Sequence, residues 1–90
     1  MIHVAPIDRK NTLSRKFYLM TTYFKLVKVL GEPNLGGDYV GWGFRDDDGR
    51  EAFVWTYKIT HGPNPQLCEN WLATGDQALL EALFPGRVQE

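Results

Sequence analysis

The sequence predicts an α+β fold: a small antiparallel sheet built from a central hairpin over 39–59 and a strand over 67–73, with two helices, about 22–31 and 76–84, packed on one face. Three observations carry this. Two aromatic runs, Tyr39 to Arg45 and Arg50 to Ile59, flank Asp46-Asp47-Asp48-Gly49, and a polar turn ending in glycine between β-prone runs is a hairpin signal. An apolar stretch runs into Gly31 and Pro33, a residue suited to the left-handed position after a helix and one that blocks continuation. Asp76 precedes Leu79, Leu80, Leu83 and Phe84, which share a helical face, and Pro85-Gly86 closes that segment.

Residues 1–14 hold one short apolar piece, Ile2 to Ile7, broken by Pro6 and followed by the polar Asp8-Arg9-Lys10-Asn11. They read as a flexible or loosely attached arm of a single domain spanning 1–90. Residues 13–30 admit two readings. Leu13, Phe17, Met20, Phe24 and Val27 are spaced 4, 3, 4, 3, which suits one long helix. Alternatively, Phe17 to Met20 form a strand, and Thr21 or Thr22 caps a shorter helix through Tyr23, Leu26, Val27 and Leu30. The Thr21-Thr22 pair favours the split, because threonine is a poor interior helix residue and a good N-cap. Residues 32–38 are a turn-rich loop, and its Gly36-Gly37 pair lacks the Lys-Ser/Thr of a phosphate-binding P-loop.

The hairpin register depends on its loop. An even-length loop puts Val40, Trp42 and Phe44 on one face with Phe53, Trp55 and Tyr57, which gathers the large aromatics together. The other face then carries Gly41, Gly43, Arg45, Ala52, Val54, Thr56 and Lys58. A three-residue loop would instead pair Trp42 with Val54 and Phe44 with Ala52. The even register is the expectation, with the thinner glycine face approached closely by a helix or a ligand. Beyond the hairpin, Thr60 to Gln66 form a loop stiffened by Pro63 and Pro65. Leu67 to Ala73 form a third strand, and the last four residues are expected to fray.

Composition limits the function classes. The chain is 43% hydrophobic and 23% charged, so it can form a globular core. Net charge is −1, which argues against a general nucleic-acid binder and eases self-association. The single cysteine, Cys68, leaves no internal disulfide and no Cys-based zinc site, as suits a reducing cytosol. Neither a signal peptide nor a membrane-spanning run of about 20 apolar residues is evident. The expected setting is cytoplasmic.

Tests for chemistry are mostly negative. Counting an EF-hand loop back from Gly49 puts Phe44 and Trp55 at the first and twelfth ligand positions, so the acidic turn is no calcium loop. His3 and His61 lie apart, without the further ligands zinc needs. No catalytic residue, metal site or cofactor is expected, and Cys68 reads as a small buried thiol. Arg45 and Lys58 could present positive charge to an anion on the thinner face, near His61. Arg9, Lys10, Arg15 and Lys16 form a basic cluster that reads as solvated surface.

Several of these stretches together resemble a group of small phage-encoded proteins. They are Leu30-Gly31-Glu32-Pro33 after a short helix, Trp42 in a strand, Phe53-Val54-Trp55-Thr56-Tyr57-Lys58 after an acidic-glycine turn, and Asn70-Trp71-Leu72-Ala73-Thr74-Gly75. The group's pattern is a helix ending in Phe-Gly-x-Pro, a Trp-bearing strand, a hairpin ending in Tyr-Asp-Tyr-Lys, and a later Trp-His-Ile-Gly-Gly. The match covers about residues 16–84. Leu30 replaces the Phe, Trp55-Thr56 replaces Tyr-Asp, and Leu72 stands where the His would be, so any function of that His is lost here. The resemblance points to Tyr57, Lys58, Trp71 and Gly75. It implies a non-enzymatic phage or prophage accessory protein that acts by binding in the host cytosol, either blocking a host defence protein or sequestering a small nucleotide signal. The nucleotide role implies a homo-oligomer with a site between subunits, the base held by aromatics and the phosphate by Lys58 or Arg45. The expected ligand-binding set is therefore Arg45, Tyr57, Lys58, His61 and Trp71. The alternative is a protein–protein interaction or assembly module without an anti-defence role.

Overall fold

The computed structural model describes residues 3–7, 16–37, 39–57 and 68–90, with Tyr57 described by its backbone alone. Six strands and two helices follow in chain order among these residues: β1 (Val4–Pro6), β2 (Lys16–Leu19), α1 (Tyr23–Leu30), β3 (Tyr39–Asp46), β4 (Glu51–Tyr57), β5 (Trp71–Gly75), α2 (Gln77–Leu83) and β6 (Val88–Gln89). The strands form one antiparallel sheet in the order β1-β3-β4-β5-β2-β6.

The segment 13–30 splits. Phe17 and Leu19 of β2 are buried while Lys16 and Tyr18 are exposed, the alternation of a half-buried strand. Thr22 caps α1, its hydroxyl oxygen accepting from the Lys25 N–H at 3.2 Å. Gly31 ends the helix at φ 86°, donating its N–H to Val27 O at 2.8 Å. Asp76 caps α2 in the same manner, accepting from the Leu79 N–H at 2.9 Å.

The hairpin register differs from the expectation. Trp42 faces Val54 and Phe44 faces Ala52, while Gly41 faces Trp55 and Gly43 faces Phe53. The loop has three residues, Asp47 to Gly49, with Gly49 at φ 84° and Asp46 pairing with Arg50 through Asp46 N–H to Arg50 O at 2.9 Å. Two physical causes favour it. The Asp46 carboxylate organises the turn, accepting from the Asp48 N–H at 3.1 Å, the Arg50 N–H at 2.8 Å and Arg50 Nε at 2.7 Å. The Phe53 ring also occupies the space a Gly43 side chain would need: a Cβ there would sit 2.9 Å from the ring and 2.6 Å from Ile7 O. The large aromatics are thereby shared between two faces. Trp42, Phe44, Val54, Trp71 and Ala73 join Leu26 of α1 and Leu79 and Leu80 of α2 in the main core, whereas Phe53 and Trp55 pack with Leu35, Ile7, Tyr39 and Leu72.

The close approach expected at the glycines is made by the chain itself. The Asn34 side chain imitates a strand: its Oδ1 accepts from the Gly43 N–H at 3.1 Å, and its Nδ2 donates to Gly43 O at 3.1 Å and to Ile7 O at 2.7 Å. The backbone N–H groups of Asn34 and Leu35 both donate to Gly41 O.

Both chain ends depart from expectation within the described residues. Val4–Pro6 pairs with Phe44–Asp46 as an edge strand; the remainder of the predicted arm, 8–14, lies outside the described residues, as do Met1 and Ile2. Instead of fraying, the last residues turn at Gly86 (φ 74°) and run back along β2, with Met20 N–H donating to Arg87 O at 2.8 Å. An open strand edge recruits any segment placed beside it. The predicted strand 67–73 starts later and runs further, to Gly75 at φ 108°, where a Cβ would meet Glu51 O at 2.4 Å.

Two stability predictions follow from this packing. Gly43→Ala should lower stability by roughly 1–3 kcal/mol in urea unfolding, because backbone and ring must both move; no loss would mean that the Phe53 ring is not confined there. Burial alone would raise the Asp46 pKa, but the hydrogen bonds and charge of Arg50 outweigh it and hold the carboxyl below its ordinary value. A depressed folded-state value contributes stability that is present above the unfolded pKa of about 3.9 and is lost as pH falls through the folded one. Asp46→Asn should therefore be less stable than the parent at neutral pH, with the gap closing as the pH drops below about 4. Urea midpoints measured between neutral pH and strong acid test this, and a gap that persists in acid would remove the charge explanation.

Candidate functional site

Helix α1 is pinned to the sheet at both ends by indoles. Trp42 Nε1 donates to Gly31 O at 2.8 Å, and Trp71 Nε1 donates to Thr21 O at 3.0 Å. The two rings meet edge to face, their centroids 5.4 Å apart, and Tyr23 packs on both. The Trp71 bond fixes the entry to α1, and beside that entry a cleft of about 490 Å³ opens, a volume in the range of small-molecule sites.

The cleft is lined by Thr21, Thr22, Lys25, Phe84, Pro85 and Arg87. One wall is the start of α1; the other is the turn after α2 that leads into β6. The Met20–Arg87 backbone hydrogen bond ties the walls together. Phe84 is buried and forms the apolar floor, while Lys25 and Arg87 are exposed. Neither cation has a carboxylate partner among the described residues, in contrast to Arg45 and Arg50, which pair with Glu51 and Asp46. The Thr22 oxygen already accepts the Lys25 N–H, so its hydroxyl proton remains free to donate outward. Two cations and two hydroxyls around an apolar floor suit an anionic head group on a small organic body.

Of the residues expected to bind a ligand, Arg45, Tyr57 and Trp71 fall among the described residues, and Arg45 lies at the opposite end of the hairpin from Tyr57. Arg45 is at the turn end of the hairpin, paired with Glu51 through Nε at 2.7 Å. Tyr57 pairs with Tyr39 at the far end of β4, six positions from Glu51, or roughly 20 Å along a strand. Lys58 and His61 lie outside the described residues. Trp71 has no exposed surface, and its N–H is engaged by Thr21, so it supports the cleft from behind and does not line it. Cys68 is buried, its thiol donating to Asn70 O at 3.3 Å. Of the basic cluster, only Lys16 is described; it is exposed at the start of β2.

Sequence reasoning found Thr21 and Thr22 only as caps and missed Lys25, Phe84, Pro85 and Arg87. A cation directly after Pro85-Gly86 was the one available signal. Among the described residues, no three of His, Cys, Asp and Glu converge as a metal site. No helix is long and apolar enough to cross a membrane. Comparison with protein families, curated proteins and solved structures finds no match.

Trp71→Phe should lower stability by roughly 1–3 kcal/mol, through the Thr21 carbonyl left unpaired and the lost ring volume. Urea unfolding measures this, and an unchanged midpoint would show that α1 is positioned without the bond.

Proposed function

We propose that the chain acts by binding and holds a small phosphate-bearing molecule in the cleft beside α1, as a phage or prophage accessory protein in the host cytosol. The observation that supports this best is the pairing state of the cations: Lys25 and Arg87 share one cleft with no carboxylate partner among the described residues. Buried or clustered cations seek an anion, and a charge-assisted contact to phosphate is about twice as strong as a neutral hydrogen bond. The polar lining groups are cations and hydroxyls, with no carboxylate or imidazole among them, which favours capture over acid–base catalysis. With both helices on one face of the sheet, the cleft lies at the margin of that layer, open to solvent. Of the two anti-defence roles, sequestering a nucleotide signal suits a cleft of this size; blocking a defence protein would need a broad surface, on the order of 800 Å² per partner. The phage setting rests on the resemblance over 16–84, and the same reading includes self-association.

One observation favours a second reading, a protein-interaction module without an anti-defence role: Phe24 on α1 is 70% exposed.

Calorimetric titration with inorganic phosphate and AMP tests the first reading. Lys25→Ala and Arg87→Ala should each weaken AMP binding by roughly 10–100-fold, the range for losing a hydrogen bond to a charged group, and binding should fall with added salt. Wild-type protein that binds neither compound at millimolar concentration would remove the reading. Full affinity in a folded double variant would place the site elsewhere.

A further inference from the structure

We infer that β6 is a ligand-linked latch: filling the cleft seats β6 on β2, and release of β6 opens the cleft. This rests on the phosphate reading above. The α1 wall of the cleft is fixed from both ends by the Trp42 and Trp71 indoles. The other wall ends in Arg87, which directly precedes β6. Two backbone bonds set its place: Arg87 N–H donates to Phe84 O at 3.1 Å, and Met20 N–H donates to Arg87 O at 2.8 Å. The second continues into the β2–β6 ladder, which adds two residue pairs, Leu19 with Val88 and Tyr18 with Gln89. β6 is the outermost strand at this end of the sheet, and Val88 is its half-buried contact with the main core. An edge strand this short belongs to the low-stability end of a fold and opens locally without global unfolding. When β6 leaves, the bond at Met20 goes with it, and Arg87 loses its fixed place in the cleft it shares with Lys25. An anion that bridges Lys25 and Arg87 therefore ties one wall to the other and binds the closed form more tightly. Such coupling is reciprocal: the factor by which closure strengthens binding is the factor by which binding strengthens closure. Occupancy also sets the state of the sheet edge, because release of β6 bares β2 to any strand placed beside it.

Amide hydrogen exchange of wild type with and without saturating AMP tests this. It is paired with titration of AMP and inorganic phosphate into wild type and into Val88→Gly/Gln89→Gly, which weakens β6 while keeping Arg87 and adding no charge. AMP should slow exchange of the Met20 N–H roughly 5–150-fold, the usual span of coupling between sites, and leave the Gly49 N–H in the hairpin turn unchanged. The double-glycine variant should exchange Met20 faster without ligand, keep the wild-type circular dichroism, and bind AMP more weakly in proportion to its lost closed fraction. AMP binding to wild type with no slowing at Met20, or with equal slowing at Gly49, would overturn the latch and leave the phosphate cleft standing. So would full AMP affinity in a variant whose Met20 N–H has lost its protection. Failure of both compounds to bind wild type would overturn both readings. If the variant does not fold, the wild-type exchange comparison decides alone.

Discussion

The structure depends on two indole hydrogen bonds that span the interface between sheet and helix. Trp42 and Trp71 stand on adjacent parts of the sheet core, pack edge to face, and each gives its N–H to a carbonyl flanking one end of α1. A helix of eight residues is too short to be stable alone, so its position comes from tertiary contacts. Buried indole N–H groups need acceptors, and the free carbonyls beside a helix end need donors; each requirement meets the other here. Fixing Thr21 in this way also fixes the wall of the cleft, so a residue with no exposed surface shapes the candidate site.

The second constraint is the glycine pair in β3. Gly41 and Gly43 have no side chains to pack, and the chain closes on both: a Cβ at Gly43 would meet the Phe53 ring and Ile7 O, and one at Gly41 would meet Val54 O and Trp55 Cβ, while the Asn34 amide bonds the Gly43 backbone. Asn34 matters most, because one planar amide satisfies the N–H and C=O of Gly43 and also reaches Ile7. The outer edge of β3 is thereby occupied from Gly41 to Asp46, first by the 34–35 segment and then by β1. An edge closed in this way offers no template for pairing with another chain.

Charge follows the same division between structural and free groups. Arg45 and Arg50 are engaged by carboxylates around the hairpin turn, and Asp46 is buried as the hub of that turn while Asp47 and Asp48 stay exposed. Lys25 and Arg87 have no such partners among the described residues, and both line the cleft. The most conspicuous charged motif in the sequence thus builds a turn, and less conspicuous cations make the cleft.

Legible in the residues alone were the hairpin, the cap at Asp76, the stop at Gly31 and the α+β class, while 13–30 stayed open between one long helix and a shorter one capped by Thr21 or Thr22. The legible elements depend on neighbouring residues, through turn chemistry, capping and periodicity, and so are written within a few positions. Only the tertiary structure decided the register of the hairpin, the pairing of both chain ends and the cleft. The register turned on whether the Phe53 ring would lie over Gly43 and on the hydrogen bonds gathered by Asp46, neither of which hydrophobic alternation encodes. The cleft joins Thr21 to Arg87 across 66 positions because β6 returns to the open edge of β2, and pairing between segments so far apart leaves no trace in the local pattern of either.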